Sequence, residues 1–221
     1  MLLLLWDIDG TLLLRASTEH AEAIHRAIRR VYGATIPEAQ VEAAGRTDLA
    51  IARSILTLAG VSPDRIDDRL GALRAVAVEE YARLVPGDLT DRLAPHVAEV
   101  LAELSQREDI LLGLVTGNLE PIARMKLRAA GIGHHFPAGL GGFGSDAEDR
   151  AELPGIARAR AGDHPRERTV VIGDTPRDIA CARADGVRVI AVTTGPYDAQ
   201  ALRGADGVAR DAREALGLLA G

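Results

Sequence analysis

Residues 2–12 read LLLLWDIDGTL, so an apolar run from Leu2 to Trp6 leads directly into Asp7 and Asp9. Such a run is typical of a buried strand, which has no structural reason to end in two carboxylates. An ionised group out of water needs a metal ion, a cation or several hydrogen-bond donors beside it. We therefore expect Asp7 and Asp9 to serve chemistry at the end of the first strand.

The alternative is that Asp9 and Gly10 form a hairpin turn, because Asp-Gly is a common turn dipeptide. The residues that follow Leu14 argue against this alternative. Ser17 to His20 resemble the start of a helix, and apolar residues then recur at helical spacing. The hairpin would lack its partner strand, so a strand followed by a helix is favoured.

Composition limits the classes of protein to consider. The chain has 221 residues, enough for one domain with a large insertion or for two modest domains. Its 26 basic and 32 acidic side chains give a net charge of −6 and are interspersed, which predicts no binding to nucleic acid or to an anionic membrane. The single cysteine, Cys181, fits a reducing compartment, and no apolar run suits a signal peptide or a membrane span. We predict a cytoplasmic protein that is a monomer or a homodimer.

Later in the chain, apolar runs alternate with helical patterns. The runs are Ile110–Val115, Ala138–Leu140, Thr169–Ile172 and Val187–Val192. The helical patterns between them are Pro121–Ala130, Arg150–Ala161 and Pro176–Asp185, and a glycine follows each one. This alternation is typical of a parallel sheet with helices on both faces. The predicted fold class is therefore α/β, with a Rossmann-like parallel sheet.

Residues 15–86 contain helical patterns and no convincing strand. The helices are expected at Thr18–Tyr32, Asp48–Leu58 and Pro63–Leu84. We interpret residues 15–86 as an all-helical insertion after the first strand. Residues 1–14 and 87–221 would then form the α/β core, in which Pro95–Ser105 is the first helix.

Polar clusters follow three of the predicted strands. They are Asp7 with Asp9, then Thr116-Gly117-Asn118, then Gly173-Asp174-Thr175-Pro176-Arg177-Asp178. Ligands bind at the carboxyl ends of the strands in an open parallel sheet. Asp7, Asp9 and Asp174 would repel one another unless a cation lay among them, and oxygen ligands of this kind suit Mg²⁺. These acids therefore predict a magnesium site.

The second cluster has the groups that bind an anion. Thr116 supplies a hydroxyl group, while Gly117 and Asn118 supply backbone N–H groups near the start of the next predicted helix. The positive end of a helix dipole favours a phosphate at such a place. Together the clusters predict a carboxylate nucleophile, a divalent metal ion and a phosphate site.

These motifs resemble those of the haloacid dehalogenase-like superfamily of phosphotransferases. The family's first, second and fourth motifs are matched by Asp7-Ile8-Asp9-Gly10-Thr11, Thr116-Gly117-Asn118 and Gly173-Asp174-Thr175-Pro176-Arg177-Asp178. The predicted helical insertion resembles the small helical cap of phosphoglycolate phosphatase-like members. The match in order and spacing covers most of the chain.

The resemblance implies a role for each acid. Asp7 would attack phosphorus to form an aspartyl-phosphate, while Asp9 would protonate the leaving oxygen and then activate water. Mg²⁺ would be held by the Asp7 carboxylate, the Asp9 carbonyl oxygen and Asp174. Asp178 would contribute directly or through water. An acid at Asp9 is usual in members that cleave phosphate esters.

The family's third motif is a basic residue, generally lysine, after the third strand. Lys126 is the only lysine of the chain and precedes that strand, so surface solvation is its expected role. Arg150 stands in the expected region, and an arginine can bind phosphate through two hydrogen bonds. The alternative is that Arg150 only pairs with Glu148 or Asp149 at the surface.

Within the predicted cap, Gly45-Arg46-Thr47-Asp48 opens a helix and places an arginine on a turn. Caps of the family carry substrate-contacting residues there, which makes Arg46 a candidate to bind an anionic leaving group, with Thr47 beside it. The alternative is an ordinary helix start with Thr47 as its cap.

We therefore expect a Mg²⁺-dependent phosphatase that acts on a small phosphorylated metabolite, with phosphoglycolate as the named candidate. A sugar-phosphate mutase of the same family is the nearest alternative. The other alternative is a binding or regulatory protein that has kept the fold and lost catalysis, because Arg150 replaces the usual lysine.

Overall fold

The computed structural model describes residues 1–37 and 41–219. Residues 38–40 of the predicted cap and residues 220 and 221 of the predicted core lie outside these described residues. Along the chain the strands are β1 (Leu2–Trp6), β2 (Ile110–Thr116), β3 (Gly142–Phe143), β4 (Thr169–Gly173), β5 (Arg188–Val192) and β6 (Gly207–Ala209). They form one sheet in the order β3-β2-β1-β4-β5-β6, and every neighbouring pair is parallel.

Helices cover this sheet and fill the segment between β1 and β2. They are α1 (Thr18–Tyr32), α2 (Asp48–Leu58), α3 (Pro63–Leu84), α4 (Val97–Leu104), α5 (Glu120–Ala129), α6 (Leu153–Arg160), α7 (Pro176–Asp185) and α8 (Ala212–Leu218). The predicted α/β class is confirmed, and α1, α2, α3 and α7 have the predicted bounds. Among the described helices, none is both long enough and apolar enough to cross a membrane.

β1 lies inside the sheet and is buried on both faces, which explains its unbroken apolar sequence. Leu4 and Trp6 belong to the apolar cluster on one face, together with residues of α4, α5 and α8. Leu3 and Leu5 belong to the cluster on the other face, with residues of α6 and α7. A parallel strand covered on both sides needs apolar residues at every position.

Helices α1, α2 and α3 enclose an apolar cluster of their own. Ile28 of α1, Leu56 of α2 and Tyr81 of α3 are buried in it, and Leu119 and Ile122 near the start of α5 join it. The helical segment between β1 and α4 therefore packs against the first turn of α5. Its division from the sheet as a separate cap domain stays a prediction.

The strand expected at Ala138–Leu140 is not formed. β3 instead occupies Gly142 and Phe143, which pair with Val115 and Thr116 at the end of β2. Gly139 and Gly141 adopt φ of 76° and 141°, and these angles interrupt an extended strand before Gly142. β6 and α8 were not predicted from the sequence.

The helix expected at Arg150–Ala161 begins differently from the prediction. Arg150–Glu152 form a 3₁₀ turn, and α6 starts only at Leu153. Asp149 accepts a hydrogen bond from the backbone N of Ala151 at 2.9 Å, which fixes the start of this turn. The tighter turn matters for the site because it contains Arg150.

Candidate active site

The predicted polar clusters meet at one edge of the sheet. Asp7 follows β1, Thr116 ends β2 and Asp174 follows β4. The strand order reverses between β1 and β4, where an open sheet usually binds its ligand. A cavity of about 900 Å³ opens here, and the motif residues on its wall are Asp7, Asp9, Gly10, Gly117, Asn118, Arg150, Asp174 and Thr175.

Asp7, Asp174 and Asp178 form a buried cluster in which one oxygen of each carboxylate lies within 4.8 Å of the others. Burial, and next the neighbouring carboxylates, hold the pKa of Asp174 well above its usual range. Burial likewise raises the pKa of Asp7, although Arg150 opposes the shift. A divalent cation would offset this repulsion, and a donor set made only of oxygen suits Mg²⁺. The residues present therefore fit a magnesium ion.

Asp178 is held in the cluster by the start of α7. Its Oδ2 accepts hydrogen bonds from the backbone N of Thr175 at 2.9 Å and from Thr175 Oγ1 at 2.7 Å. Thr175 Oγ1 also accepts a bond from the backbone N of Asp178, which completes a capping box. The other Asp178 oxygen pairs with Arg150. These bonds keep the Asp178 carboxylate near Asp7.

Gly10 allows the loop after β1 to pass against Asp174. Gly10 has a φ of +90°, and a Cβ at this position would overlap the Asp174 carboxylate. Next to it, Thr11 Oγ1 donates a hydrogen bond of 2.8 Å to Asp174 Oδ1. The glycine and the hydroxyl of the first motif thus position the acid of the fourth motif.

Arg150 lies inside the site. Its side chain is 8% exposed, and its Nη2 lies 3.2 Å from Asp7 Oδ1 while it also pairs with Asp178. The alternative that placed Arg150 at the surface with Glu148 or Asp149 is wrong. The buried Nε of Arg150 has no hydrogen-bond partner among the described residues. One guanidinium donor is therefore left over near Asp7.

Lys126 is buried, so the prediction of surface solvation is wrong. Its side chain has 0% exposure, and its Nζ lies 2.8 Å and 2.6 Å from the two carboxylate oxygens of Asp9. Asn118 Nδ2 donates a third bond, of 2.9 Å, to Asp9. Burial alone would raise the pKa of Asp9, but the charge of Lys126 and these hydrogen bonds lower it. Asp9 is therefore held as a carboxylate against α5.

A signal for Lys126 was present in the sequence. The buried positions of α5 are Ile122, Ala123, Lys126 and Leu127, which follow the spacing of an apolar helix face. A lysine on such a face is almost never fully buried without a partner. The periodicity therefore indicated a paired lysine, although it could not identify Asp9 as the partner.

A buried network continues from Lys126 into the helical segment. Lys126 Nζ lies 3.1 Å from His20 Nδ1, and His20 Nε2 lies 2.9 Å from Asp48 Oδ2. Because an ammonium group only donates, His20 Nδ1 accepts and Nε2 donates to Asp48. Asp48 Oδ2 also accepts a bond of 2.7 Å from the backbone N of Leu119. The network thus connects α1 and α2 with Asp9 through side chains.

The second motif lies against the start of α2. Gly117 must lack a side chain because a Cβ would overlap the carbonyl group of Arg46, and its own carbonyl oxygen accepts a bond of 2.8 Å from the backbone N of Asp48. Gly117 and Asn118 line the cavity, whereas Thr116 is fully buried and does not line it. Thr116 Oγ1 accepts a long bond of 3.4 Å from the backbone N of Asn118.

Arg46 and Thr47 use their side chains within the protein. Arg46 Nη2 donates to the Ala50 carbonyl at 2.9 Å and to Ser54 Oγ at 2.8 Å. Thr47 Oγ1 accepts a bond from the backbone N of Ala50 and donates one of 2.6 Å to the Glu148 carbonyl. The helix-start alternative therefore describes Thr47. Of the two predicted substrate residues, Arg46 lines the cavity with its guanidinium already engaged.

A sequence profile of haloacid dehalogenase-like hydrolases matches residues 4–183. This range includes every motif that lines the cavity and extends over more than half of the chain. The chain belongs to the haloacid dehalogenase-like hydrolase family. The resemblance drawn from the motifs is confirmed.

Relatives of this haloacid dehalogenase-like hydrolase have different named activities. The tyrosine-protein kinase PtkA of Mycobacterium tuberculosis is 28% identical over 198 residues, which are 87% of this chain and 62% of the kinase. The phosphoglycolate phosphatase of Escherichia coli (strain K12) is 32% identical over 106 residues, 47% of this chain and 40% of the phosphatase. The chain thus spans less than two thirds of either relative. A hydrolase from Pseudomonas syringae has the same fold, with a TM-score of 0.69, 22% identity and coverage of 100% of this chain and 98% of that one.

In this haloacid dehalogenase-like hydrolase, Asp7 and Asp9 have different surroundings. Asp7 lies among two other carboxylates and one arginine, whereas Asp9 lies between Lys126 and Asn118. Carboxylates in contrasting environments can take separate roles, one as a nucleophile near a cation and one in proton transfer.

Proposed function

We propose that the chain is a Mg²⁺-dependent phosphatase that hydrolyses a phosphate monoester through an aspartyl-phosphate on Asp7. The observation that carries this proposal is the buried group of Asp7, Asp174 and Arg150 at the carboxyl edge of the sheet. The name of the Escherichia coli relative supports ester hydrolysis and makes phosphoglycolate the reference substrate for an assay.

The first step would transfer the phosphoryl group to the protein. Asp7 attacks phosphorus, the bond from phosphorus to the ester oxygen breaks, and that oxygen leaves with a proton from Asp9. Arg150 supplies donors beside Asp7, and Gly117 and Asn118 of the second motif line the same cavity. In the second step Asp9 takes a proton from water, whose oxygen binds phosphorus and releases the Asp7 carboxylate.

Mg²⁺ would complete the site. We infer that the carboxylates of Asp7 and Asp174 hold the ion together with the Asp9 carbonyl oxygen, and that Asp178 contributes directly or through water. When bound, the ion supplies charge that offsets the negative charge of the transferring group. Without it, the three carboxylates repel one another and favour protonation.

Lys126 would act as a positioning residue. It stabilises Asp9 as a carboxylate, which is the form that accepts a proton from water in the second step. The first step needs the protonated acid, and a protonated Asp9 is less strongly attracted to Lys126. Uptake of the proton would therefore loosen this contact, which His20 connects with the helical segment.

Turnover of an aryl phosphate tests the proposal. p-Nitrophenyl phosphate is assayed with and without Mg²⁺ for the native chain and for Asp7→Asn. We expect hydrolysis that depends on Mg²⁺ in the native chain and a loss of activity of at least ~10³-fold in the variant, because the nucleophile is removed. Equal rates in both proteins, or no metal-dependent hydrolysis of any phosphate ester, would contradict the proposal.

The same assay separates the two alternatives. Transfer of the phosphoryl group to a sugar in place of water would identify a sugar-phosphate mutase. Binding of phosphate esters with no turnover would identify a binding or regulatory protein. The small phosphorylated metabolite, the cytoplasmic location and the monomeric or homodimeric state stay predictions.

A further inference from the structure

The cavity over Asp7 extends well beyond the catalytic groups. Its volume is about 900 Å³, near the upper end of the roughly 300–1,000 Å³ of pockets that enclose drug-sized ligands. A two-carbon acid such as phosphoglycolate would occupy a small part of this space. The remainder needs an occupant if the cavity is to exclude water during the reaction.

The wall that the helical segment contributes is mainly apolar, although it also includes Arg15, Ser17, His20, His25, Arg46 and Asp48. Ile24 of α1 and Ile55 of α2 are buried members of the apolar cluster of α1, α2 and α3, and they line the cavity. Ile36 and Ile51 pack on the edge of that cluster, line the same cavity and are only partly buried. Partly exposed apolar side chains that face a cavity gain most when an apolar ligand covers them.

The basic groups of the cavity offer little to an acidic leaving group. Burial lowers the pKa of His25, and His20 is bonded on both ring nitrogens. The guanidinium of Arg46 is bonded to Ala50 and Ser54, and Arg150 pairs with Asp7. Arg15 lines the cavity but is exposed to solvent, where a charge is screened. A carboxylate in the leaving group would therefore find no buried cation set apart for it among these three arginines.

We propose that this cavity selects phosphate monoesters with a long, mainly apolar leaving group, hexyl or larger, over two-carbon and three-carbon acids. The inference rests on the proposed function and departs from the expectation of phosphoglycolate. The phosphate lies beside Asp7 and Arg150, and the alkyl or aryl part lies along Ile24, Ile51 and Ile55. Specificity comes from the area of apolar surface that the substrate covers.

A series of n-alkyl phosphates tests the proposal. Ethyl, butyl, hexyl and octyl phosphate have leaving alcohols of similar acidity, so differences in kcat/KM report how the chain binds. We expect kcat/KM to rise with length, by up to about fourfold for each methylene that becomes buried. A value of kcat/KM that is constant or falls with length would overturn the proposal, as would a higher value for phosphoglycolate than for hexyl phosphate.

A variant pair on α2 locates the effect. Ile51→Thr replaces the ethyl branch of the side chain by a hydroxyl group, which removes apolar area from the wall and makes it polar. We expect it to lower kcat/KM severalfold more for hexyl phosphate than for ethyl phosphate. Leu58→Thr is the matched control, because Leu58 lies on the same helix, is 56% exposed and is not part of the cavity wall. Equal effects of Ile51→Thr on both substrates would contradict the assigned wall.

Binding of phosphonates separates this inference from the proposed function. The dissociation constants of ethylphosphonate and hexylphosphonate are measured by calorimetry with Mg²⁺ present. Tighter binding of hexylphosphonate, with no ester hydrolysed, would reject the phosphatase proposal and support the apolar subsite. Hydrolysis of aryl phosphate, with equal binding of the two phosphonates, would support the phosphatase and reject the subsite.

Discussion

Single residues define the chemistry of the site, and Lys126 is a charged side chain with no exposure to solvent. A fully buried ammonium group is tolerated because Asp9 and His20 satisfy it. Removing one member of a buried ion pair typically costs about 3–5 kcal/mol. We expect a smaller loss in the free energy of unfolding here, because Asp9 is 27% exposed at the cavity. Lys126 is therefore more important for the state of Asp9 than for stability.

Lys126→Met should change the pH dependence of the reaction. The substitution keeps the length of the side chain and removes its charge, so the pKa of Asp9 rises. Asp9 acts as a carboxylate in the second step, so the acid limb of the pH–rate profile for that step moves to higher pH. We expect kcat to fall by about 10²-fold with a smaller change in KM. Profiles of kcat for native chain and variant provide the measurement.

Lys126→Arg is the control for that prediction, since it retains the charge and should recover part of the activity with a profile near that of the native chain. An unshifted profile for Lys126→Met would show that Lys126 does not control Asp9.

Cys181 should be unreactive in the folded protein. Its side chain is 2% exposed, and burial raises the pKa of its thiol to about 12. The thiolate is the reactive form of cysteine and is scarce under these conditions. We expect almost no reaction with a thiol reagent at about pH 8 in the native state, and complete reaction after unfolding in guanidinium chloride. Rapid labelling of the native chain would disagree with this burial.

At the scale of elements, the start of α2 meets the loop after β2. The backbone of Gly117 touches that of Arg46, and Asp48 accepts and donates hydrogen bonds across the same junction. Close backbone contact of this kind requires glycine. The atoms that a Cβ would overlap belong to the backbone, so no side chain can rotate away to make room. The junction therefore couples the helical segment with the loop that faces the cavity.

Gly117→Ala should disrupt this junction. A Cβ would overlap a backbone carbonyl, so α2 or the loop must shift, and we expect a loss of about 1–3 kcal/mol in the free energy of unfolding. Gly87→Ala is the control, because nothing lies within 4 Å of a Cβ there, and its effect should stay within about 0.5 kcal/mol. Urea denaturation compares the two variants. Equal free energies of unfolding for the two variants would show that the two backbones can move apart at this junction without cost.

At the scale of the whole molecule, the acid cluster connects folding with metal binding and pH. Asp7 and Asp174 have raised pKa values when folded and ordinary values near 4 when unfolded. Between these values the folded chain without metal binds more protons than the unfolded chain. The contribution of these two groups to stability therefore decreases as the pH rises through this range.

Mg²⁺ should therefore stabilise the chain more at high pH than at low pH. The ion binds carboxylates and competes with protons for them. We expect saturating Mg²⁺ to raise the Tm by a few degrees at about pH 8 and by much less at about pH 5. Thermal unfolding with Mg²⁺ and with a chelator checks this, and Asp174→Asn should lose most of the effect. The same rise at both pH values would argue against the acid cluster as the site.

Much of the fold was predictable from local patterns. The helices α1, α2, α3 and α7 have the predicted bounds because apolar spacing, caps and terminal glycines act within a few residues. β3 was placed wrongly because it has only two residues, and its position depends on pairing with β2. β6 has only three residues, and its position depends in the same way on pairing with β5. Such short strands carry too little periodicity to be identified alone.

The sequence alone was enough to predict the parallel α/β class, the acids Asp7, Asp9 and Asp174 at the strand ends, and the family. These properties follow from short motifs and from periodicity within single elements. The partner of Lys126 and the burial of Arg150 depended on tertiary structure. Lys126 contacts Asp9 across 117 residues of chain, and only the packing of α5 against the loop after β1 determines that a lysine from a helix face holds an acid of the first motif.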